Sequence, residues 1–454
     1  TVTAADAESL NKDLKDAKAT DALTLTVTGE ATAADLKALD AKTSEVVTAT
    51  GISLITGNAA DVKTVLKADG ITLDKAATGA VAVTVTGTVS AADANTIAAA
   101  TTGKVTATIV AGTAAALDAL VDGVQVNAYT LTVNGATAAA ADLNALDAKT
   151  SKAIKVDAAS ITGNIADVTK VFVDNATKFT GEETKAATIS GEITAGEANA
   201  VANKTSGVVT ATITAAEAAT LNVALGDATV GQKTVNAYKL TVTGNDADAA
   251  DLNALDGKTA VKVDATDITN GITGSAADLK KLVAAKGVEI AKGVDITVTG
   301  ATNASDLATI LKSTLGTVTA TVTADTAAKL NAALTDKDVN ALTLTVNGTT
   351  ATAKDLISLD AKTSVNIVLN VGAITGNITE ITKVFVDDAA NFTNEETTAA
   401  TISGEITAAQ ADAVAVKTSG VVTATIKADS ADLLRSTLTD GTVNAYKLTV
   451  NGTT

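Results

Sequence analysis

Ala22-Leu23-Thr24-Leu25-Thr26-Val27-Thr28-Gly29 alternates threonine with aliphatic residues and stops at a glycine. A period of two marks a strand with one buried face. Just beyond it, Thr32-Ala33-Ala34-Asp35-Leu36-Lys37-Ala38-Leu39-Asp40-Ala41-Lys42 changes period. Leu36 and Leu39 fall on one face and Asp and Lys on the other, which predicts an amphipathic helix. The glycine is expected to make a tight strand-to-helix turn. An Asn-Gly pair such as Asn134-Gly135 can also mark a hairpin, but a helix follows here, so the hairpin reading loses.

This stretch recurs. Ala128-Tyr129-Thr130-Leu131-Thr132-Val133-Asn134-Gly135 repeats it, and further copies end at Gly244, Gly348 and Gly452. The closing glycines are 106, 109, 104 and 104 residues apart. A longer period overlies the short one. Val171-Phe172-Val173-Asp174 returns as Val384-Phe385-Val386-Asp387, an offset of 213. Self-similarity at fixed period is the signature of a repeat architecture. Each block divides into four modules of roughly 26 residues. In the first block, strand-like runs stand near 22–28, 45–50, 80–86 and 104–110.

Helix starts share one form. Thr32, Asn58, Ser90, Thr214 and Ser275 each precede an acid by three residues, at Asp35, Asp61, Asp93, Glu217 and Asp278. A short side-chain oxygen accepts an open backbone N–H, and the acid faces the positive end of the helix dipole. Capping is the preferred reading, and a row of cation sites the alternative. Helix ends are stereotyped as Leu39-Asp40-Ala41-Lys42-Thr43-Ser44 and its copies at 146–151 and 359–364. Their lysines are expected to offset the negative end of the dipole.

Strand–helix–strand modules of this length imply parallel strands. The expected fold class is α/β, a right-handed β-α solenoid with a parallel sheet on one side and helices on the other. Tandem eight-stranded β/α barrels are the alternative, because the long period spans eight modules. The solenoid is preferred since no linker separates one set of eight from the next. The expected organisation is one continuous array over residues 1–454, with blocks at approximately 22–127, 128–236, 237–340 and 341–444. Both chain ends fall inside the recurring pattern, so the sequence is expected to be a window of a longer chain. Open ends of such a stack are expected to self-associate.

Composition excludes much. The chain has 454 residues and a net charge of −17, and it lacks Pro, Cys, Met, His and Trp. Without Cys there is no disulfide or thiolate site. Without His there is no imidazole base and no Ser-His-Asp triad. The acidic balance predicts no nucleic-acid partner. Mean hydropathy is +0.28, yet no apolar run reaches the roughly 18 residues of a membrane span, so no insertion is expected.

No catalytic, cofactor-binding or metal-ligating residue is therefore predicted. Glu182-Glu183 and Glu395-Glu396 are paired acids at equivalent places. A helix-start or surface role is expected for them; weak calcium binding is the one ligand use they suggest. Tyr129, Tyr238 and Tyr446 share one register, as do Phe172 with Phe385 and Phe179 with Phe392. They read as packing anchors, with a glycan-stacking platform as the sharper alternative. Arg435 is the only arginine, too few for phosphate or carboxylate recognition by an arginine cluster.

The blocks Leu-Thr-Val-Asn-Gly, Ala-Asp-Leu-Asn-Ala-Leu-Asp-Ala-Lys-Thr-Ser and Gly-Val-Val-Thr-Ala-Thr-Ile resemble repeats of the giant cell-surface proteins of marine cyanobacteria, swimming-associated ones included. The resemblance covers nearly the whole sequence. It implies an exported, extracellular, surface-attached structural protein, not an enzyme. An adhesin or glycan-binding protein and a calcium-stabilised surface-layer protein are the alternatives. The partners expected are neighbouring repeats of the same chain or other copies of it.

Overall fold

A computed structural model describes residues 1–75, 80–121, 123, 125–226, 235–336, 338–439 and 443–452. The chain forms two compact units. The first comprises Thr1–Thr214, Ala224–Lys239 and Lys258–Ala260; the second comprises Ala215–Val223, Leu240–Gly257 and Val261–Thr454.

The class is α/β, with parallel pairing throughout. In the first unit one sheet runs Thr26–Thr32, Val47–Asn58, Ala82–Val89, Val105–Ile109 and Ala128–Thr130, in that spatial order. A second runs Thr137–Ala139, Ser160–Asn164, Ala186–Ile193, Val209–Ile213 and Ala237–Lys239. In the second unit the corresponding sheets begin at Asp246–Asp248 and at Thr345–Thr352. Sequence neighbours are spatial neighbours, and a helix connects each long strand to the next. Every sheet among the described residues is open, with an edge strand at each end. The barrel alternative is thereby overturned: a barrel needs its last strand to pair with its first.

The helix starts form as the pattern predicts at four of the five sites. Side chains of Thr32, Asn58, Ser90 and Ser275 accept from the backbone N–H of Asp35, Asp61, Asp93 and Asp278. Each such cap contributes about 1 kcal/mol. The fifth, Thr214, is corrected. Its backbone N–H and hydroxyl both donate to the Ile193 carbonyl, so it closes a strand ladder, and the helix begins later, at Ala218.

The glycine expectation is also corrected. Gly29 lies inside the strand Thr26–Thr32, not at its end. Its φ is +82°, and the pairing register to the next strand shifts beside it. Gly191 repeats this within Ala186–Ile193 at φ +84°. Here the chain turns a corner and carries on extended. A β-carbon at either glycine would meet nothing within 4 Å, so backbone conformation alone demands glycine.

The core is aliphatic. Leu36 and Leu39 are fully buried, as are Val27, Ala49 and Ile55 on the facing strands. Two features escape the sequence pattern. The helix Ile165–Thr169 widens into a π-helix at Lys170–Asp174, and Ile378–Thr382 does so at Lys383–Asp387.

Candidate functional site

The polar groups of this fold concentrate on seams between successive β-α modules. Three seams recur, and each uses a different residue type.

The innermost seam is threonine. Thr43, Thr101, Thr150, Thr205, Thr259, Thr314, Thr363 and Thr418 are buried. Each follows a helix and donates its hydroxyl to a carbonyl one module back. Thr150 donates to the Tyr129 carbonyl at 2.7 Å and Thr363 to the Leu342 carbonyl at 2.7 Å. The same oxygen accepts from the backbone two residues on, Lys152 N–H at 3.1 Å and Val365 N–H at 3.0 Å. One hydroxyl thus pairs with a buried carbonyl and a second backbone group, which is why a polar side chain is tolerated in the core. Lys42-Thr43-Ser44 carried this signal in the sequence, but only as a recurring end to the helix.

The second seam is asparagine. The Oδ1 atoms of Asn127, Asn236, Asn340 and Asn444 accept from the backbone N–H of Val105, Val209, Val318 and Val422 at 2.8–2.9 Å. Their spacings of 109, 104 and 104 residues match the block period. Sequence reasoning missed them, although each immediately precedes the Ala-Tyr or Ala-Leu that opens a strand.

The outer seam joins helices. Lys37 reaches Asp61 of the next helix at 3.0 Å, and Lys63 reaches Asp93 and Lys280 reaches Asp306 in the same way. Asn222 and Asn331 make the same reach to Asp251 and Asp355. The capping acid is used twice. Asn58 Nδ2 also donates to Asp61 Oδ2, and Asn303 Nδ2 to Asp306 Oδ2. The Lys37 hydrogen bond is the main cause that holds the Asp61 carboxyl below its ordinary value, with Asn58 adding to it. The Lys63 and Lys280 hydrogen bonds do the same for Asp93 and Asp306. These pairs are solvent-exposed and individually weak.

The lysines at the helix ends behave differently from expectation. Lys42 Nζ donates to the carbonyls of Asn11 and Leu14 at 3.1 and 2.7 Å. It therefore caps the C-terminus of the preceding helix, Ala7–Asp13, rather than its own. Lys149 does this at the Asp118 carbonyl at 2.5 Å, and Lys362 at the Leu334 carbonyl.

The sequence-predicted candidates separate clearly. Tyr129 and Tyr238 are buried, as are Phe172, Phe179, Phe385 and Phe392. They are packing anchors, and the two buried tyrosines present no ring face to a sugar. Burial pushes the Tyr129 hydroxyl up to about 12 and that of Tyr238 higher still. Arg435 is exposed in the last turn of Ala431–Thr437.

Glu182 and Glu395 each begin a single 3-10 turn, Glu182–Thr184 and Glu395–Thr397. Glu182 is only 7% exposed. Burial, then the neighbouring acid, raises both carboxyls above their ordinary value. Among the described residues no three Asp or Glu side chains converge as a metal site.

One hollow of about 250 Å³ lies beside Asn303, Ser305, Asp325 and Lys329. Its charges are engaged with each other: Lys329 Nζ sits 3.1 Å from Asp325 Oδ1. The Thr326 backbone N–H, and then Lys329, hold that carboxyl below its ordinary value. Asn303 and Thr326 here cap the helices Ala304–Leu311 and Ala327–Ala333, so this is a helix-start arrangement.

No protein-family model matches the chain, and no curated protein matches it significantly. No described helix is long and apolar enough to cross a membrane.

Proposed function

We propose that the chain is a segment of a right-handed β-α solenoid, one continuous repeat array serving as a non-enzymatic structural part of a long extracellular cell-surface or filament-forming protein. One observation carries this reading. Buried threonine and asparagine side chains tie modules to their neighbours and recur at the block period. A polar group spent on holding the next module is a stacking device, not a reacting one. Stability in such arrays comes from nearest-neighbour interfaces. Self-association, or further repeats of the same chain, then supplies the partner at exposed sheet edges. The acidic surface keeps such a fibre dispersed. The extracellular setting rests on the resemblance to cyanobacterial surface-protein repeats.

Small-angle scattering with negative-stain imaging tests the reading. A rod or gentle arc of uniform cross-section is the expected result. Two separate globules would sink the solenoid. Immunogold labelling of the intact source cells tests the location, and label confined to the cell interior would overturn it.

A further inference from the structure

The 3-10 turns Glu182–Thr184 and Glu395–Thr397 each carry an acid with one shielded carboxyl oxygen; Glu182 is buried and Glu395 half-buried. Glu182 Oε2 and Glu395 Oε2 are both shielded from solvent and have no hydrogen-bond partner. The two sites are 213 residues apart and are built alike. Each turn is entered through a left-handed residue, Gly181 at φ +88° and Asn394 at φ +74°. Each packs against the π-helix before it, Lys170–Asp174 or Lys383–Asp387. Each also holds the next module. The Glu183 carbonyl accepts from Ser206 N–H at 2.8 Å and Ser206 Oγ at 3.2 Å. The Glu396 carbonyl accepts from Ser419 N–H at 2.8 Å and Ser419 Oγ at 3.1 Å.

We propose that these two turns are proton-controlled latches, closed while Glu182 and Glu395 are neutral and loosened when they ionise. A neutral carboxyl with one unpaired oxygen is tolerable in an apolar setting; an unpaired carboxylate is not. Ionisation drives the side chain toward water. The turn that holds Ser206 or Ser419 is the segment that must open to let it out.

The elements around the two turns carry charges of both signs. The π-helix carries Lys170 and Asp174, the preceding module Asp157, and the following module Lys204. On the turn itself stand Glu183 and Lys185. The second site has Lys383, Asp387, Asn370, Lys417, Glu396 and Thr398 at these places. Of these groups Glu183 and Glu396 bear on Glu182 and Glu395, and both raise them further. The sign follows. A raised folded value leaves the full stability in place below the ordinary 4.5, and it is lost as pH rises through the folded value.

Hydrogen exchange on the full chain, corrected for the intrinsic pH dependence, tests this. Segments 179–193 and 392–406 should open more readily as pH rises from about 4 to about 8. The gain should be about tenfold for each unit by which the acid is raised. The double variant Glu182→Gln, Glu395→Gln should keep both segments closed across that range. The control variant Glu183→Gln, Glu396→Gln should keep a rise, smaller in size. Opening that is independent of pH in the unaltered chain would overturn the proposal. So would a rise that survives in the Glu182→Gln, Glu395→Gln chain. Should that variant fail to fold, the pH profile of the unaltered chain decides by itself.

Discussion

The hydroxyl of Thr150 donates to the carbonyl of Tyr129, 2.7 Å away and 21 residues earlier in the chain. The same oxygen accepts from Lys152 N–H. The Tyr129 carbonyl belongs to a buried residue and the Lys152 N–H lies at the edge of the seam. Thr150→Val keeps the shape and removes the hydrogen bonds. It is expected to cost about 1–3 kcal/mol, read as a lowered urea midpoint with unchanged slope. Thr150→Ser should retain most of the stability. A Thr150→Val chain as stable as the parent would show that the seam carries no energy.

The lysines that end the helices act on the previous helix. Lys42→Met should therefore lower hydrogen-exchange protection in Ala7–Asp13 and leave Ala33–Asp40 unchanged. The loss should be about 1 kcal/mol, the scale of a cation at a helix C-terminus. Loss confined to Ala33–Asp40 would restore the own-dipole reading.

Two glycines separate backbone strain from crowding. Gly191 has φ +84° and open space around it. Gly191→Ala should cost about 1–2 kcal/mol, the penalty of a left-handed non-glycine residue. At Gly207 a β-carbon would come within 2.3 Å of the Lys185 backbone. Gly207→Ala should cost clearly more, because backbone there has to move. Thermal melts of the two variants check the order.

Burial raises the Tyr129 hydroxyl from 10.0 to about 12. The neutral phenol is the form the fold accepts, so its contribution is complete below pH 10 and is lost as pH climbs through about 12. Ultraviolet titration of the folded protein should show phenolate appearing late, together with unfolding. Tyr129→Phe should remove part of that alkaline step. Tyrosine absorbance that rises near 10 with the fold intact would contradict the burial.

Exposed acids give the opposite sign. Asp61, Asp93 and Asp306 are held below 3.8 by lysine hydrogen bonds. Their contribution is present above that value and is lost as pH falls through the folded value. Replacing Lys37, Lys63 and Lys280 together by Met should flatten the acid limb of stability against pH. Added salt should flatten it in the parent chain as well.

Much of the fold was legible in residue order. Leu36 and Leu39 at helical spacing, and Thr24 to Thr28 at strand spacing, depend on neighbours within a few positions. The caps at Thr32, Asn58, Ser90 and Ser275 are equally local, since the oxygen and the N–H it receives are three residues apart. Thr214 failed because its backbone still follows the strand ladder: its N–H and hydroxyl both reach the Ile193 carbonyl, 21 residues away, and the helix begins only at Ala218. The wide π turns at Lys170 and Lys383 have no such local signature.

By itself the sequence determined the alternation of strand and helix, the block period, the aliphatic core and the absence of thiol and imidazole chemistry. Each follows from composition or from contacts inside one module. Only the tertiary structure decided which carbonyls Lys42 caps, which N–H Asn127 receives, and how deeply Glu182 is buried. The partners of Lys42 and Asn127 lie 22 to 31 residues away, and Glu182 is enclosed by elements outside its own turn. The register of parallel strands sets which atoms of neighbouring modules meet, and that register exists only once the modules pack.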